Sequence, residues 1–182
     1  MYGFHGRLLL IDLSTGNCSW RKLDESRLQH FLGGIGLGTS LLYEFAPLGV
    51  EPLSPANPLI FTSAPLVGTG LTTTAKYAVV TKSPLTNFIA DSLSSSFFAL
   101  ELKRVGIDAL VITGRASSPV YLFIQEERAE LRTADEFWHK SASETERLIR
   151  AERKDPGIRV AAIGLAGEIG RASCRERVYL CV

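Results

Sequence analysis

The sequence predicts an α+β domain, and three features of the 182-residue chain predict this fold class. The chain opens with an apolar segment at 6–13, a Ser-Thr-Gly turn and a returning strand at 17–23, which together form a β-hairpin. Two helices then follow one another with no strand between them. Further along, three strands succeed one another, at 108–113, 119–125 and 129–133. Because strands and helices do not alternate strictly, the pattern argues against a doubly wound sheet.

The two consecutive helices are predicted from their caps and their apolar spacing. Asp24 is a suitable N-cap for a short helix at 25–31, and Gly33-Gly34 ends it. The second helix is predicted at 36–45. Its apolar residues share one face: Leu37, Leu41, Leu42 and Phe45. Four prolines between 47 and 58 then predict a rigid loop without regular structure.

The remaining elements follow from the same signals. They are a buried strand at 58–63, a glycine- and threonine-rich loop at 64–74, a strand at 77–82, a helix at 94–105, a helix at 141–153 and a last buried strand at 158–163. Ser143 and Glu146 match a capping box at the start of the helix at 141–153. No internal repeat is visible at the level of residue identity.

A cluster of serines stands where the helix at 94–105 is predicted to begin: Ser92, Ser94, Ser95 and Ser96. Backbone N–H groups at a helix start bind anions such as phosphate, and Lys76 and Lys82 would add positive charge. The alternative is that the serines only cap the helix. The cluster is therefore a candidate anion site with a structural alternative.

A second glycine-rich segment, Gly33-Gly34-Ile35-Gly36-Leu37-Gly38, has two interpretations. It follows a helix rather than a strand and lacks the G-x-G-x-x-G spacing, so it fails the test for a dinucleotide fingerprint. It is either a helix end followed by close backbone packing, or a turn whose N–H groups face a phosphate. Both interpretations stay open at the level of sequence.

Composition excludes several function classes. A net charge of +1 argues against a nucleic-acid partner, and no apolar run reaches the length of a membrane span. The N-terminus lacks the layout of a signal peptide, so we expect no membrane partner and a cytoplasmic location. The three cysteines, Cys18, Cys174 and Cys181, contain no C-x-x-C pair, which argues against a disulfide scaffold or a self-contained metal site.

Ionisable side chains do not identify a catalytic residue. Asp91, Glu101 and Asp108 are the carboxylates nearest the serine cluster, but nothing fixes two of them on one face, and Glu101 is placed to pair with Arg104. The three histidines are widely separated and have no ligand spacing. We therefore predict no catalytic residue from this chain.

Several motifs recur in order along residues 1–170. They are GRLLLIDLSTG, FLGGIGLG, EPLSPANPLIFTSAPLVGTG, YAVVTKSPLT, ELKRVGIDALVITG and IGLAGE. Together they resemble the N-terminal domain of the tungsten-containing aldehyde:ferredoxin oxidoreductases. The resemblance implies two mixed β-sheets with flanking helices, on which a bis-pterin cofactor holding tungsten or molybdenum lies.

The resemblance also implies further cofactors and partners. A magnesium ion bridges the two pterin phosphates in the family, and a [4Fe–4S] cluster is held by cysteines outside this chain. The implied reaction converts an aldehyde and water to a carboxylic acid, with two electrons leaving through the cluster to ferredoxin. The implied partners are the C-terminal domains of the same enzyme and ferredoxin, and the family pattern also allows a homodimer.

Three residues match family cofactor-binding positions. Lys76 matches a family arginine that lies between the pterin and the cluster. Leu93 matches an asparagine whose main-chain carbonyl contacts magnesium, and Ser95 matches a glycine beside the cofactor. Lysine keeps the charge but loses the bidentate fork of arginine. Ser95 adds a Cβ where the backbone would approach the ligand, whereas the carbonyl of Leu93 survives the change of side chain. These departures indicate a divergent member of the family.

The predicted organisation is a cofactor-cradling domain at 1–170 and a tail at 171–182. The tail, RASCRERVYLCV, is either a terminal strand or the product of a frame shift or truncation. The family's second group of pterin and magnesium contacts falls beyond 170, so we expect the chain alone to be catalytically inactive. The alternative function is a binding or scaffold module that kept the fold and lost the cofactor.

Overall fold

The computed structural model describes residues 2–164 and 178–181 of the chain. These residues contain ten β-strands: β1 Arg7–Asp12, β2 Asn17–Lys22, β3 Leu59–Thr62, β4 Lys76–Lys82, β5 Ile89–Ser95, β6 Ala109–Thr113, β7 Val120–Gln125, β8 Arg128–Thr133, β9 Val160–Ala161 and β10 Val178–Cys181. The helices are α1 Glu25–Phe31, α2 Gly34–Phe45, α3 Phe97–Arg104 and α4 Ala142–Arg153, with a 3₁₀ turn at Asp135–Phe137. None of these helices is long and apolar enough to cross a membrane.

The strands form two mixed sheets, which confirms the predicted fold class. The first sheet has the strand order β2-β1-β6-β3-β4-β5, and the second has the order β8-β7-β10-β9. The pairs β1–β6 and β7–β10 are parallel, and the other pairs are antiparallel. The β1–β2 hairpin predicted from the Ser-Thr-Gly turn is present in full register.

The two sheets share one connectivity, which the amino-acid sequence does not reveal. In the first, the hairpin β1–β2 is followed by α1, α2 and β3, and β6 returns parallel to β1 beside β3. In the second, the hairpin β7–β8 is followed by the 3₁₀ turn, α4 and β9, and β10 returns parallel to β7 beside β9. Among the described residues, β4, β5 and α3 belong to the first half alone. The fold is an internal structural duplication.

The core is arranged in layers around these two sheets. Leu9 and Ile11 of β1 face Leu122 and Ile124 of β7 in a central cluster that also buries Phe98 of α3. Each sheet carries a helix on its other face. Leu37 and Leu41 of α2 pack against Leu8 and Ile60 of the first sheet, and Ile149 of α4 packs against Tyr121 and Phe123 of the second. Burying one such leucine or isoleucine stabilises the fold by about 1.5–3 kcal/mol relative to exposing it.

The helix predicted at 94–105 is the main error of the sequence-based prediction. Residues Ile89–Ser95 form β5, which pairs with β4 along its whole length, and α3 begins only at Phe97. A tight turn reverses the chain, because Ser83 N donates to Phe88 O at 2.8 Å and Asn87 adopts a φ of 61°. Three of the four serines therefore lie in a strand, and only Ser96 caps the helix by accepting from Phe98 N.

Two smaller boundaries also differ from prediction. The capping box of α4 is formed by Ser141 and Glu144 rather than by Ser143 and Glu146. The backbone N–H of Glu144 donates to the side chain of Ser141, and the backbone N–H of Ser141 donates to the side chain of Glu144. The buried strand predicted at 158–163 is shorter in the structure, where β9 covers only Val160–Ala161. The predicted tail at 171–182 is described only at β10, and the rest of it lies outside the described residues.

Candidate functional site

The three residues predicted to bind a cofactor lie on one hairpin. Lys76 stands directly opposite Ser95 in the β4–β5 ladder, and Ala78 stands opposite Leu93. Paired residues in an antiparallel ladder project to the same face, and so do residues two apart along a strand. Lys76, Leu93 and Ser95 therefore project from one face of the first sheet, at β4 and β5, and β5 is the last strand on that side of the sheet among the described residues.

This shared face is covered at one end of the hairpin and open at the other. Ala78 and Val80 project from the same face of β4 as Lys76, and both are fully buried in the cluster beneath α2. Lys76 and Ser95 are exposed, and Leu93 is 56% exposed. Helix α2 thus stops short of the three candidate residues, which leaves a surface for a ligand or another part of a protein.

The hairpin also displays an unusual amount of apolar surface. Its large exposed hydrophobic residues are Leu85, Phe88, Ile89 and Leu93, and Phe97 follows directly at the start of α3. Leu85 is 89% exposed and Phe88 is 77% exposed. Several large exposed apolar side chains on one hairpin favour interaction with a ligand or a protein partner over a fully solvated surface.

The far end of the hairpin is held by the proline-rich loop. Asn57 Nδ2 donates to Pro52 O at 2.7 Å and to Lys82 O at 3.1 Å, and Thr81 Oγ1 donates to Pro58 O at 2.8 Å. Lys82 Nζ donates to Val50 O at 2.6 Å. Lys82 lies at the opposite end of β4 from Lys76, so the structure does not bring these two charges together.

The glycine-rich segment at the start of α2 serves close packing. A Cβ at Gly38 would lie 2.5 Å from Cγ2 of Val80, and a Cβ at Gly33 would lie 2.6 Å from the carbonyl oxygen of Ser63. Gly34 N donates to Ser63 O at 2.9 Å, and Thr62 Oγ1 donates to Gly34 O at 2.7 Å. The structure therefore supports the packing interpretation, in which these glycines seat α2 on β3 and β4.

Two of the three carboxylates considered as acids or bases, Asp108 and Glu101, have structural partners, and Asp91 is exposed on β5. Asp108 is 1% exposed, and its Oδ2 accepts the N–H groups of His5 and Gly6 at 2.8 and 2.6 Å. Its Oδ1 lies 2.5 Å from Nζ of Lys103, which is itself buried. Glu101 pairs with Arg104 at 2.7 Å, as its spacing predicts. The buried pair of Lys103 and Asp108 was missed, because the spacing of five residues has no helical signature.

A cleft of about 680 Å³ adjoins the hairpin, and sequence reasoning missed it. One wall is the glycine- and threonine-rich segment between Pro65 and Ala75, which leads directly into Lys76. The other walls are Phe4 and His5 near the N-terminus and Arg104 of α3. No cluster of three or more histidine, cysteine or acidic residues able to hold a metal occurs within the described part of the chain.

The half-buried cysteine of β2 is not an activated nucleophile. Burial raises the pKa of the Cys18 thiol, so the thiol stays protonated near neutral pH. It lies at the edge of the central cluster, on β2 of the first sheet and away from the β4–β5 edge. The described residues of the hairpin therefore offer the ammonium group of Lys76, exposed hydroxyls, backbone carbonyls and apolar surface, which suits binding rather than proton transfer.

Comparison with known protein families identifies this domain. A sequence model of the aldehyde ferredoxin oxidoreductase N-terminal domain matches residues 8–174. The tungsten-containing aldehyde ferredoxin oxidoreductase of Pyrococcus furiosus is 45% identical over 168 residues, or 92% of this chain, and that of Thermococcus kodakarensis is 42% identical over the same length. The aliphatic sulfonate oxidoreductase, WOR-like subunit, of Pyrococcus furiosus is 41% identical over 76% of this chain.

A solved structure agrees with these sequence matches. The active-site complex BamBC of benzoyl coenzyme A reductase, solved with 1,5-dienoyl-CoA, superposes with a TM-score of 0.89 at 38% identity and covers 92% of this chain. The chain in turn spans 26% of that structure's chain and 28% of the length of the tungsten-containing relatives. This chain belongs to the aldehyde ferredoxin oxidoreductase family, as an oxidoreductase N-terminal domain.

Proposed function

We propose that this domain holds a bis-pterin cofactor of tungsten or molybdenum in a cytoplasmic enzyme that oxidises aldehydes to carboxylic acids. In this proposal, electrons leave through a [4Fe–4S] cluster to ferredoxin or a similar acceptor. The observation that carries it is the convergence of Lys76, Leu93 and Ser95 on one exposed face of the β4–β5 hairpin. The 45% identity to a tungsten-containing relative supports the choice of cofactor.

The chemistry of these residues fits an anionic pterin phosphate and its magnesium ion. The ammonium group of Lys76 supplies a point charge for a phosphate, although without the two parallel hydrogen bonds of an arginine. Magnesium takes oxygen ligands, and the main-chain carbonyl of Leu93 is one. Ser95 would contribute a hydroxyl beside the cofactor, on the same face and directly opposite Lys76.

The protein's part in this chemistry is binding and shielding. The bis-pterin metal centre, when bound, supplies the two-electron redox chemistry. The exposed apolar side chain of Leu93, on the same face as Lys76 and Ser95, would exclude water from one side of the cofactor. The rigid attachment of β4 through Asn57 and Thr81 would keep the cradle in one geometry.

We assign this domain to cofactor binding rather than to substrate binding, because its relatives are named for different substrates. The names of these relatives refer to aldehydes, to aliphatic sulfonates and to benzoyl coenzyme A. Identities of 38–45% across these relatives support a shared role for this domain, which we assign to the cofactor. The substrate cavity and the cluster ligands then belong to the remainder of the enzyme.

The partners follow from the same proposal. The chain spans 28% of the length of its tungsten-containing relatives, so we propose that further domains of the same enzyme cover the exposed hairpin surface. A homodimer is compatible with this arrangement. We also propose that the 182-residue chain by itself does not turn over substrate, and that activity belongs to the complete enzyme.

The test is metal and pterin analysis of the complete enzyme. It is produced in a host that makes the pterin cofactor and is supplied with tungstate and molybdate. We expect close to one metal and two pterins for each polypeptide, and aldehyde-dependent reduction of a viologen dye. Protein free of metal and pterin under these conditions would refute the proposal and favour a scaffold module that kept only the fold.

A further inference from the structure

A cleft on the second sheet gathers arginine side chains that the proposed function does not use. It has a volume of about 600 Å³, and residues of β2 and of the β7–β8 turn line part of it. In the β7–β8 ladder Phe123 stands opposite Glu130, and Gln125 stands opposite Arg128. Paired residues, and residues an even number apart along a strand, project to the same face. The lining side chains on this face are Phe123, Gln125, Arg128, Glu130 and Arg132, joined by Arg153 at the end of α4.

Two guanidinium groups lie against one buried ring in this cleft. The Cζ of Arg153 lies 4.2 Å from the ring centroid of Phe123, and the Cζ of Arg132 lies 5.8 Å from it. Phe123 is buried, so both side chains rest on a surface of the packed core. A cation–π contact holds an arginine in place but provides no oxygen acceptor for its N–H groups. Two like charges beside one ring repel each other, which favours an anion between them.

The carboxylates of the cleft neutralise only part of its positive charge. Glu130 accepts from Arg132 Nε at 2.8 Å, and Glu127, the other lining carboxylate, pairs with an arginine outside the cleft. Within the described part of the chain, no carboxylate pairs with Arg128 or Arg153. Two guanidinium groups of the cleft are therefore left without a counter-charge.

We propose that this cleft binds the phosphate group of a small phosphate monoester. Such an ester carries close to two negative charges near neutral pH, which matches the two unpaired guanidinium groups. Guanidinium groups donate paired hydrogen bonds to phosphate oxygens, and the side-chain amide of Gln125 adds a neutral donor. A volume of about 600 Å³ is typical of small-molecule sites.

The site is separate from the candidate cofactor cradle. The cleft lies against β7 and β8 of the second sheet, whereas Lys76, Leu93 and Ser95 lie on β4 and β5 of the first. The proposal therefore does not depend on the bis-pterin, and it adds a second anion site to the domain.

The test compares Arg153→Gln and Arg128→Gln with a control, Arg147→Gln. Arg147 is an exposed arginine of α4 that does not line the cleft. The 182-residue chain is titrated with glycerol 3-phosphate by isothermal calorimetry at about pH 8, where the ester carries close to two charges. We expect saturable binding that each cleft variant weakens about tenfold or more and the control weakens less than about twofold. No binding by the unaltered chain, or equal weakening by all three variants, would overturn the proposal.

A conservative variant separates phosphate binding from support of the fold. Arg153→Lys keeps the charge and an alkyl stem over Phe123, but it loses the fork of donors. We expect weakened binding of the ester with an unchanged midpoint of urea denaturation. Binding equal to that of the unaltered chain would overturn the assignment of Arg153 as a phosphate ligand.

Inorganic phosphate and succinate separate a phosphate ester from other dianions. We expect the ester to bind at least as tightly as inorganic phosphate, because the cleft has room for its organic part. We expect it to bind about tenfold more tightly than succinate, whose two charges lie on separate carboxylates. Tighter binding of inorganic phosphate than of the ester would overturn the ester as the ligand and leave a site for free phosphate. Equal binding of succinate would overturn the assignment to phosphate.

Discussion

Two charged residues, Lys76 of β4 and Asp108 directly before β6, differ in what surrounds them. Asp108 is enclosed by backbone N–H groups of the N-terminal segment and by the ammonium group of Lys103. It joins the N-terminal segment to α3 and β6, and it is inaccessible to any ligand. Lys76 is exposed beside Ser95, so its charge is available. Burial, rather than residue type, therefore separates structural from candidate binding residues here.

Asp108→Asn tests the structural role of the buried carboxylate. The substitution leaves the ammonium group of Lys103 buried without a counter-charge, so we expect a loss of about 3–5 kcal/mol in the free energy of unfolding. Urea denaturation measures this loss. The matched control is Glu101→Gln, which breaks a pair with the exposed Arg104 and should cost less than about 1 kcal/mol. Equal losses in the two variants would contradict this account.

The elements of the fold differ in how far the sequence predicts them. Helix α2 is predicted correctly because Leu37, Leu41 and Leu42 recur at the helical period and all three are buried. The hairpin β4–β5 is missed because β5 is an edge strand with exposed serines, and its pairing with β4 depends on a turn. The spacing of apolar residues along the sequence indicates an element that is buried on one face. An exposed edge strand has no such spacing, because it forms only through its pairing with the neighbouring strand.

Gly38→Ala tests the contact that seats α2 on β4. The added Cβ would lie 2.5 Å from Cγ2 of Val80, and overpacking of this kind costs about 1–3 kcal/mol. The better helix propensity of alanine returns only about 1 kcal/mol, so we expect a net loss of stability in thermal unfolding. In the Gly38→Ala background, Val80→Ala should cost less than it does alone. Independent, additive effects would show that the two residues are not in contact.

The capping box of α4 predicts a pH dependence of stability. Hydrogen bonds from Ser141 lower the pKa of Glu144 in the folded chain. A lowered pKa in the folded state stabilises the protein above the unfolded pKa, and this contribution is lost as the pH falls below the ordinary glutamate pKa of about 4.3 and then through the lower folded pKa. Ser141→Ala should lower the urea midpoint at pH 7. Its difference from the unaltered chain should shrink by pH 3, and a constant difference would contradict the account.

At the scale of the whole molecule, the main feature is the duplicated topology of the two sheets. The resemblance to a known family predicts two mixed sheets, and the structure confirms them. The duplication itself is not visible in the sequence. Many different apolar residues can form the same strand order and the same parallel pairs, β1 with β6 and β7 with β10, so the two halves need not share residue identities. The candidate residues Lys76, Leu93 and Ser95 are predicted through family positions and remain a prediction, whereas the adjoining cleft is visible only in the tertiary structure.

The central claim is that the β4–β5 hairpin forms part of the cradle for a tungsten or molybdenum bis-pterin. The most direct measurement is the position of the metal in crystals of the complete enzyme, located by anomalous scattering at the tungsten and molybdenum absorption edges. We expect a peak beside the exposed face that carries Lys76, Leu93 and Ser95. A peak away from this hairpin, or crystals of cofactor-loaded protein in which the hairpin face contacts only solvent, would contradict it.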